Sequence, residues 1–292
     1  MIVVTGSESF VGKEVISQCK IKGIRVIGFD SIKAVNPDYE FHQIDIRSIN
    51  IADMIPDGTD AVIHLAALSR DVDCKNKAYE CFDVNVIGTL NLIKASQSKN
   101  VKQFIFASSE WVYDKFVDGE EKDEDSSINA SNLESEYALS KIVSEINLRQ
   151  QYKNGFCDVT ILRFGIIYGP RKNNWSAVES ILSSVKNKTE ITVGSLKTGR
   201  RFVHVSDIAR GIIMSIGLNG FNIINLTSDK IMTLEEIIDT SKKILNKSIK
   251  IIETNHSQIS LRNPSNNKAK KLLHWKPEID LETGLRTILD FV

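Results

Sequence analysis

Tyr137 and Lys141 lie four residues apart in Ser135-Glu136-Tyr137-Ala138-Leu139-Ser140-Lys141. If that stretch is helical, both side chains share one face. A phenol can serve there as a general acid or base, and a neighbouring ammonium is expected to pull its pKa towards neutrality. Taken alone, Tyr-x-x-x-Lys is common by chance and fits an ordinary solvated helix face better. A second polar candidate, Ser109, follows the apolar run Phe104-Ile105-Phe106-Ala107.

The chain opens on Met1-Ile2-Val3-Val4-Thr5-Gly6, an apolar run halted by glycine, then continues Gly6-Ser7-Glu8-Ser9-Phe10-Val11-Gly12 into an amphipathic stretch. Strand, tight turn and helix start form a pyrophosphate site from backbone N–H groups and the helix dipole. Ser9 replaces the middle glycine of the usual fingerprint, and its Cβ limits how closely phosphates approach. A second strand ends in Asp30, about twenty residues past the loop, where a carboxylate holds a ribose 2′-hydroxyl and repels a 2′-phosphate. The nearest following cation is Lys33, so the pattern favours NAD over NADP.

The elements that position these groups alternate. Strands are expected at 1–5, 24–29, 40–44, 60–65, 101–107 and 158–163, and helices near 9–22, 48–55, 76–99 and 132–153. This alternation implies an α/β, doubly wound parallel sheet with ligands at the carboxyl ends of its strands. After Gly169-Pro170 the segments shorten, with helices expected at 175–187, 206–217, 233–246 and 281–291. Lysine plus arginine and aspartate plus glutamate number 37 each, and no basic patch stands out, so nucleic acid is not the expected partner. The acidic run Asp118 to Asp125, which includes Lys122, reads as a solvated loop. No apolar run reaches membrane-spanning length and the first residues read as a core strand, so neither a membrane association nor a signal peptide is expected. Cys19, Cys74, Cys81 and Cys157 lack metal-ligand or redox spacing and fit thiols in a reducing cytoplasm.

Thr5-Gly6…Gly12, Asp30, Asp45-Ile46-Arg47, His64-Leu65-Ala66-Ala67, Asp83-Val84-Asn85-Val86-Ile87-Gly88-Thr89, Ser108-Ser109, Tyr137…Lys141 and Tyr168-Gly169-Pro170 occur in order. So do Arg200-Arg201-Phe202-Val203-His204-Val205-Ser206-Asp207 and Trp275-Lys276-Pro277 with Leu281-Glu282-Thr283-Gly284-Leu285. Together they resemble the extended short-chain dehydrogenase/reductases of the NAD-dependent epimerase/dehydratase family, which modify nucleotide sugars. The resemblance covers essentially the whole chain. It implies a Rossmann-type NAD-binding domain over 1–165 and a smaller α/β substrate-binding lobe over 166–292, discontinuous, with some segments returning to the first domain. Bound NAD is expected against Gly6, Ser9, Phe10, Val11, Gly12, Asp30, Asp45, Ile46, Leu65, Ala66, Ala67, Tyr137 and Lys141. The catalytic set is Ser109, Tyr137 and Lys141. Asp45 is expected to accept from the adenine amino group or to cap a helix, Asn85 to hold neighbouring backbone, Tyr168 to pack towards the nicotinamide, and His64 to be structural.

For the substrate, the resemblance points to Ser109, Glu110 and Tyr137 at the sugar, with Arg200 and Arg262 at the diphosphate and Arg201 as a further cation. The expected reaction is 4-epimerisation through a 4-keto sugar. Alternatives are 4-ketoreduction, dehydration, or reduction of an alcohol or ketone without a nucleotide; a non-catalytic NAD-responsive protein is a further one. The family's dehydratases carry an Asp-Glu pair after the catalytic Ser/Thr, whereas Glu110-Trp111 stand here. Ile166 replaces a usual asparagine at the substrate diphosphate. The resemblance also implies a homodimer through helices 76–99 and 132–153, and a role in polysaccharide biosynthesis.

Overall fold

A computed structural model gives the fold and describes residues 1–117 and 119–292. The chain divides into two units. The first comprises Met1–Lys115, Ser126–Arg163 and Ala209–Ile224, and the second Phe116–Asp125, Phe164–Ile208 and Asn225–Val292.

The first unit is built on a sheet whose strands are β1 (Ile2–Thr5), β2 (Val26–Asp30), β3 (Glu40–Gln43), β4 (Ala61–His64), β5 (Gln103–Ser109) and β6 (Asp158–Phe164). The order is β3-β2-β1-β4-β5-β6, followed by a seventh strand, Phe221–Leu226. Strands β3, β2, β1, β4 and β5 pair in parallel. In β1 and β4 every residue is buried, the signature of a parallel strand covered on both faces. The strand order reverses between β1 and β4, which opens a crevice at their carboxyl ends.

Six helices of this unit are α1 (Phe10–Ile21), α2 (Ile51–Met54), α3 (Asp71–Cys74), α4 (Ala78–Phe82), α5 (Gly88–Ser98) and α6 (Glu136–Lys153). The single helix expected over 76–99 is therefore broken. A π-helical turn, Asp83–Ile87, separates α4 from α5. One of its carbonyls finds two side-chain partners: Asn85 O accepts from Thr89 Oγ1 at 2.7 Å and from Ser144 Oγ at 3.1 Å. Gly88 follows because Ile46 Cδ1 would lie 2.6 Å from any Cβ there. Helix α6 starts at Ser135, whose hydroxyl accepts from Ala138 N.

The second unit has its own core, including Tyr168, Leu182, Phe202, Ile237 and Leu285. Strands Glu190–Val193 and Lys250–Glu253 pair in parallel within it. Ile166 packs against this core, which explains an apolar residue at that position. Tyr168 is fully buried there, edge-on to His204 with ring centroids 5.3 Å apart and with Gly284 against its ring. That core packing, within the second unit, is its observed environment. The expected solvated acidic loop is corrected as well. Lys122 and Glu124 are buried, Lys122 N donates to Asn263 O at 3.1 Å, and Glu124 Oε1 accepts from Asn225 N at 2.6 Å. The segment Gly119–Asp125 is thus a strap tied into the second unit, while Asp118 lies outside the described residues.

Candidate active site

Strand β5 ends at Ser109, whose hydroxyl oxygen caps a short 3-10 turn, Glu110–Val112, by accepting from Trp111 N at 3.2 Å. Helix α6 brings the Tyr137 hydroxyl close enough to Ser109 for the serine hydroxyl to lower its pKa. One turn later, Lys141 Nζ donates to Ala107 O at 2.8 Å and lies 4.8 Å from the Phe106 ring centroid and 5.8 Å from that of Tyr137. Ser109, Tyr137 and Lys141 are all buried. The three residues read from spacing are therefore one cluster. Glu110, expected at the sugar, is also buried in the turn beside Ser109.

The electrostatics correct one expectation. Burial pushes the Tyr137 hydroxyl up to about 12, Cys74 and Cys81 add to the rise, and among the causes only the Ser109 hydrogen bond opposes it. The Lys141 ammonium is bound to Ala107 O and is not among the causes acting on Tyr137, on which desolvation is the largest. Burial likewise pushes Lys141 down to about 8, which leaves it mostly charged at neutral pH. The Cys74 and Cys81 thiols pack on Tyr137, with Leu68 closing the cluster.

Asn85 supports this cluster from the π-turn. Its amide pairs with Leu68 backbone in both directions, accepting from N at 2.8 Å and donating to O at 3.0 Å, and also donates to Ser140 Oγ at 3.0 Å. Below it lies a buried relay. Ala66 N donates to Thr5 Oγ1 at 3.3 Å, and Thr5 Oγ1 lies 2.8 Å from His64 Nδ1. His64 Nε2 lies 2.9 Å from Thr89 Oγ1, which donates to Asn85 O. Each hydroxyl spends its one proton forwards, so Nδ1 accepts and Nε2 carries the hydrogen. Burial pushes His64 down to about 3, which keeps the ring neutral and structural.

Apart from Tyr137 and Lys141 on α6, the residues expected at the cofactor follow the carboxyl ends of β1, β2, β3 and β4. Gly6 has φ +71°, and a Cβ there would sit 2.8 Å from Ala66 N, so the ends of β1 and β4 close together only over glycine. A Cβ at Gly12 would meet Gly6 O at 2.1 Å. Ser9 serves the loop itself: its N donates to Gly6 O at 3.0 Å and its Oγ caps α1 by accepting from Gly12 N at 3.0 Å. Phe10 and Val11 form the first turn of α1. Asp30, at the end of β2, accepts from Glu8 N at 2.9 Å and Ile32 N at 3.0 Å. Asp45 caps no helix. Arg47 takes both its oxygens, at 3.0 and 2.7 Å, lowers its pKa, and also binds Asp83 at 2.6 Å. Ile46 backs onto Gly88, and Leu65, Ala66 and Ala67 continue from β4. A glycine-floored loop, a positive helix end and a carboxylate at the end of β2 suit a dinucleotide.

Arg200 and Arg262 belong to the second unit, where they flank one bridge between Gly199 and Leu261. Arg200 donates to Ser260 O at 2.6 Å and to Ser260 Oγ at 3.0 Å. Arg262 stacks on Phe116 at 5.1 Å. Arg201 is a structural cation: it is buried and bound to Glu121, Asn263 and Ser228 O. Two polar groups were not legible beforehand, the buried Glu145–Arg163 pair and the Glu8–Tyr39 contact, because each joins residues far apart in sequence.

Among known proteins, a model of the NAD dependent epimerase/dehydratase family matches residues 2–226. A UDP-glucuronate 4-epimerase of Thermodesulfobacterium geofontis is 26% identical, with 99% of this chain and 95% of the relative covered. A putative UDP-glucose 4-epimerase of Methanocaldococcus jannaschii is 28% identical over 100% and 98%. The solved UDP-glucose 4-epimerase of Thermotoga maritima with UDP-glucose superposes with TM-score 0.87 at 22% identity, covering 99% and 97%. Among the described residues no helix is long and apolar enough to cross a membrane.

Proposed function

Because this chain belongs to the NAD-dependent epimerase/dehydratase family, and so is an enzyme with NAD as cofactor, we propose that it is a nucleotide-sugar 4-epimerase acting through a transient 4-keto sugar. The observation that carries this reading is the cluster of Ser109, Tyr137 and Lys141 where β5 meets α6. When bound, NAD supplies the hydride acceptor and donor, and its positive ring favours the Tyr137 phenolate. Tyr137 takes the proton of the sugar O4. Ser109 hydrogen-bonds the same oxygen and steadies the negative charge that develops on it. Lys141 holds the nicotinamide ribose and, as an ammonium, favours the phenolate. As Tyr137 takes the O4 proton, the C4 hydride passes to bound NAD, giving the ketone; with the sugar turned over, return of that hydride to the opposite face of C4 and of the Tyr137 proton to O4 inverts the centre.

The substrate reading is a UDP-hexose or UDP-hexuronate, in line with the two curated relatives. The second unit is its lobe, and Arg200 and Arg262 are its diphosphate partners, since an arginine fork matches phosphate bidentately. The exposed side chains of Ile87, Leu139 and Ile146 on the π-turn and α6 are the contact surface of a homodimer.

The test is an NMR time course with the purified protein, catalytic NAD and a panel of UDP-, dTDP- and GDP-hexoses and UDP-hexuronates. New anomeric signals without net reduced cofactor are expected with one of them. Glu110, a buried carboxyl beside Ser109, favours a second reading, elimination next to the ketone. Trp111 in place of a second carboxylate sets it behind. A new methyl resonance in the same experiment would replace epimerisation with dehydration.

A further inference from the structure

Glu8 brings a carboxylate into the dinucleotide loop, and its surroundings fix it there. Its backbone N–H binds Asp30 Oδ2 at 2.9 Å. The Tyr39 hydroxyl donates to Glu8 Oε1 at 2.6 Å, and Lys13 Nζ lies 3.2 Å from Oε2. The Tyr39 ring is itself held: a Cβ at Gly28, two residues before Asp30 on β2, would lie 2.3 Å from Tyr39 Cε2. Both carboxylates act on the Tyr39 hydroxyl, which burial and the Glu8 hydrogen bond push up to about 12, so it remains a neutral donor. Lys13 is largely exposed and screens Glu8 only in part, whereas the Glu8 side chain is mostly covered.

We propose that Glu8 is a cofactor-specificity residue, whose carboxylate, clamped by Tyr39, joins Asp30 in excluding a 2′-phosphate from the adenosine end of the crevice. A ribose 2′-hydroxyl needs one acceptor, which Asp30 provides. A 2′-phosphate would bring its negative charge against two held carboxylates, and repulsion between partly covered like charges is weakly screened. Selectivity for NAD is thus shared between the loop and the end of β2, and neutralising Asp30 alone leaves part of it in place.

The inference rests on NAD as cofactor and not on the choice of sugar reaction, so a binding measurement tests it separately from the epimerase reading. Dissociation constants for NAD and NADP are measured by isothermal titration calorimetry on the full chain, for the wild type, Glu8→Gln, Asp30→Asn and the double variant. Glu8→Gln keeps an acceptor for Tyr39 and should lower the NADP-to-NAD ratio of dissociation constants by about tenfold. The double variant should lower it further than Asp30→Asn does. Tyr39→Phe keeps the ring on Gly28 and removes the clamp; it should lower the ratio by a smaller factor and reads the same contact should Glu8→Gln not fold. A Glu8→Gln ratio equal to that of the wild type, whether or not both constants move together, overturns the proposal. A wild type that binds neither nucleotide overturns the cofactor assignment as well.

Discussion

At the scale of single residues, burial works against the ionisation of Tyr137, so the proposed role as a base needs a bound positive ring and the Lys141 ammonium to offset it. Tyr137→Phe should lower turnover by about a thousandfold while NAD binding persists, read by steady-state kinetics beside calorimetry. His64 gives a pH prediction. Its folded pKa is depressed to about 3, below the ordinary value of 6.5. Between these values the unfolded chain binds a proton that the folded one refuses, so this stabilising contribution is complete above 6.5 and is lost as pH falls towards 3. Its share of the slope is about 1.4 kcal/mol per pH unit within that window. Urea unfolding of His64→Gln at pH 7 and pH 5 should show a shallower acid loss than the wild type. An identical pH dependence would refute the neutral, buried assignment.

At the scale of elements, an ion pair ties α6, which carries Tyr137 and Lys141, to the sheet. Glu145, one turn beyond Lys141 on α6, binds Arg163 of β6 at 3.0 and 2.7 Å and accepts from Ser108 Oγ at 2.5 Å. Arg163 also lies over the Tyr113 ring, 4.9 Å from its centroid. Glu145→Ala should destabilise the protein by about 3–5 kcal/mol in urea unfolding, because it strands a buried guanidinium. Glu145→Leu with Arg163→Met should recover most of that loss. Most of this framework was legible beforehand. The strands of the first unit announce themselves as apolar runs between turn residues, and Tyr137 and Lys141 share a helix face by spacing alone. The seventh strand escaped because Asn222 and Asn225 interrupt its apolar run. The π-turn escaped because hydrophobic periodicity does not register one extra residue in a turn. Strands 190–193 and 250–253 are short and remote from each other, so only their pairing defines them.

At the scale of the whole molecule, the proposed assembly places exposed apolar groups between two copies. Ile146 is 61% exposed and Ile87 54%, so both side chains are open to such a contact. Sedimentation at micromolar concentration should give a dimer for the wild type and a monomer for Ile146→Glu with unchanged helix content. A wild-type monomer would remove the assembly. The first unit meanwhile carries its own gauge of integrity. The relay from Ala66 through Thr5, His64 and Thr89 to Asn85 spans β1, β4 and the π-turn with every proton pointing one way. A 15N spectrum should therefore show His64 as a single Nε2–H species with a slowly exchanging proton, constant in shift well below neutral pH. Any slippage of strands or turn would scramble that polarity, so one imidazole nitrogen can report in real time on whether β1, β4 and the π-turn still hold together.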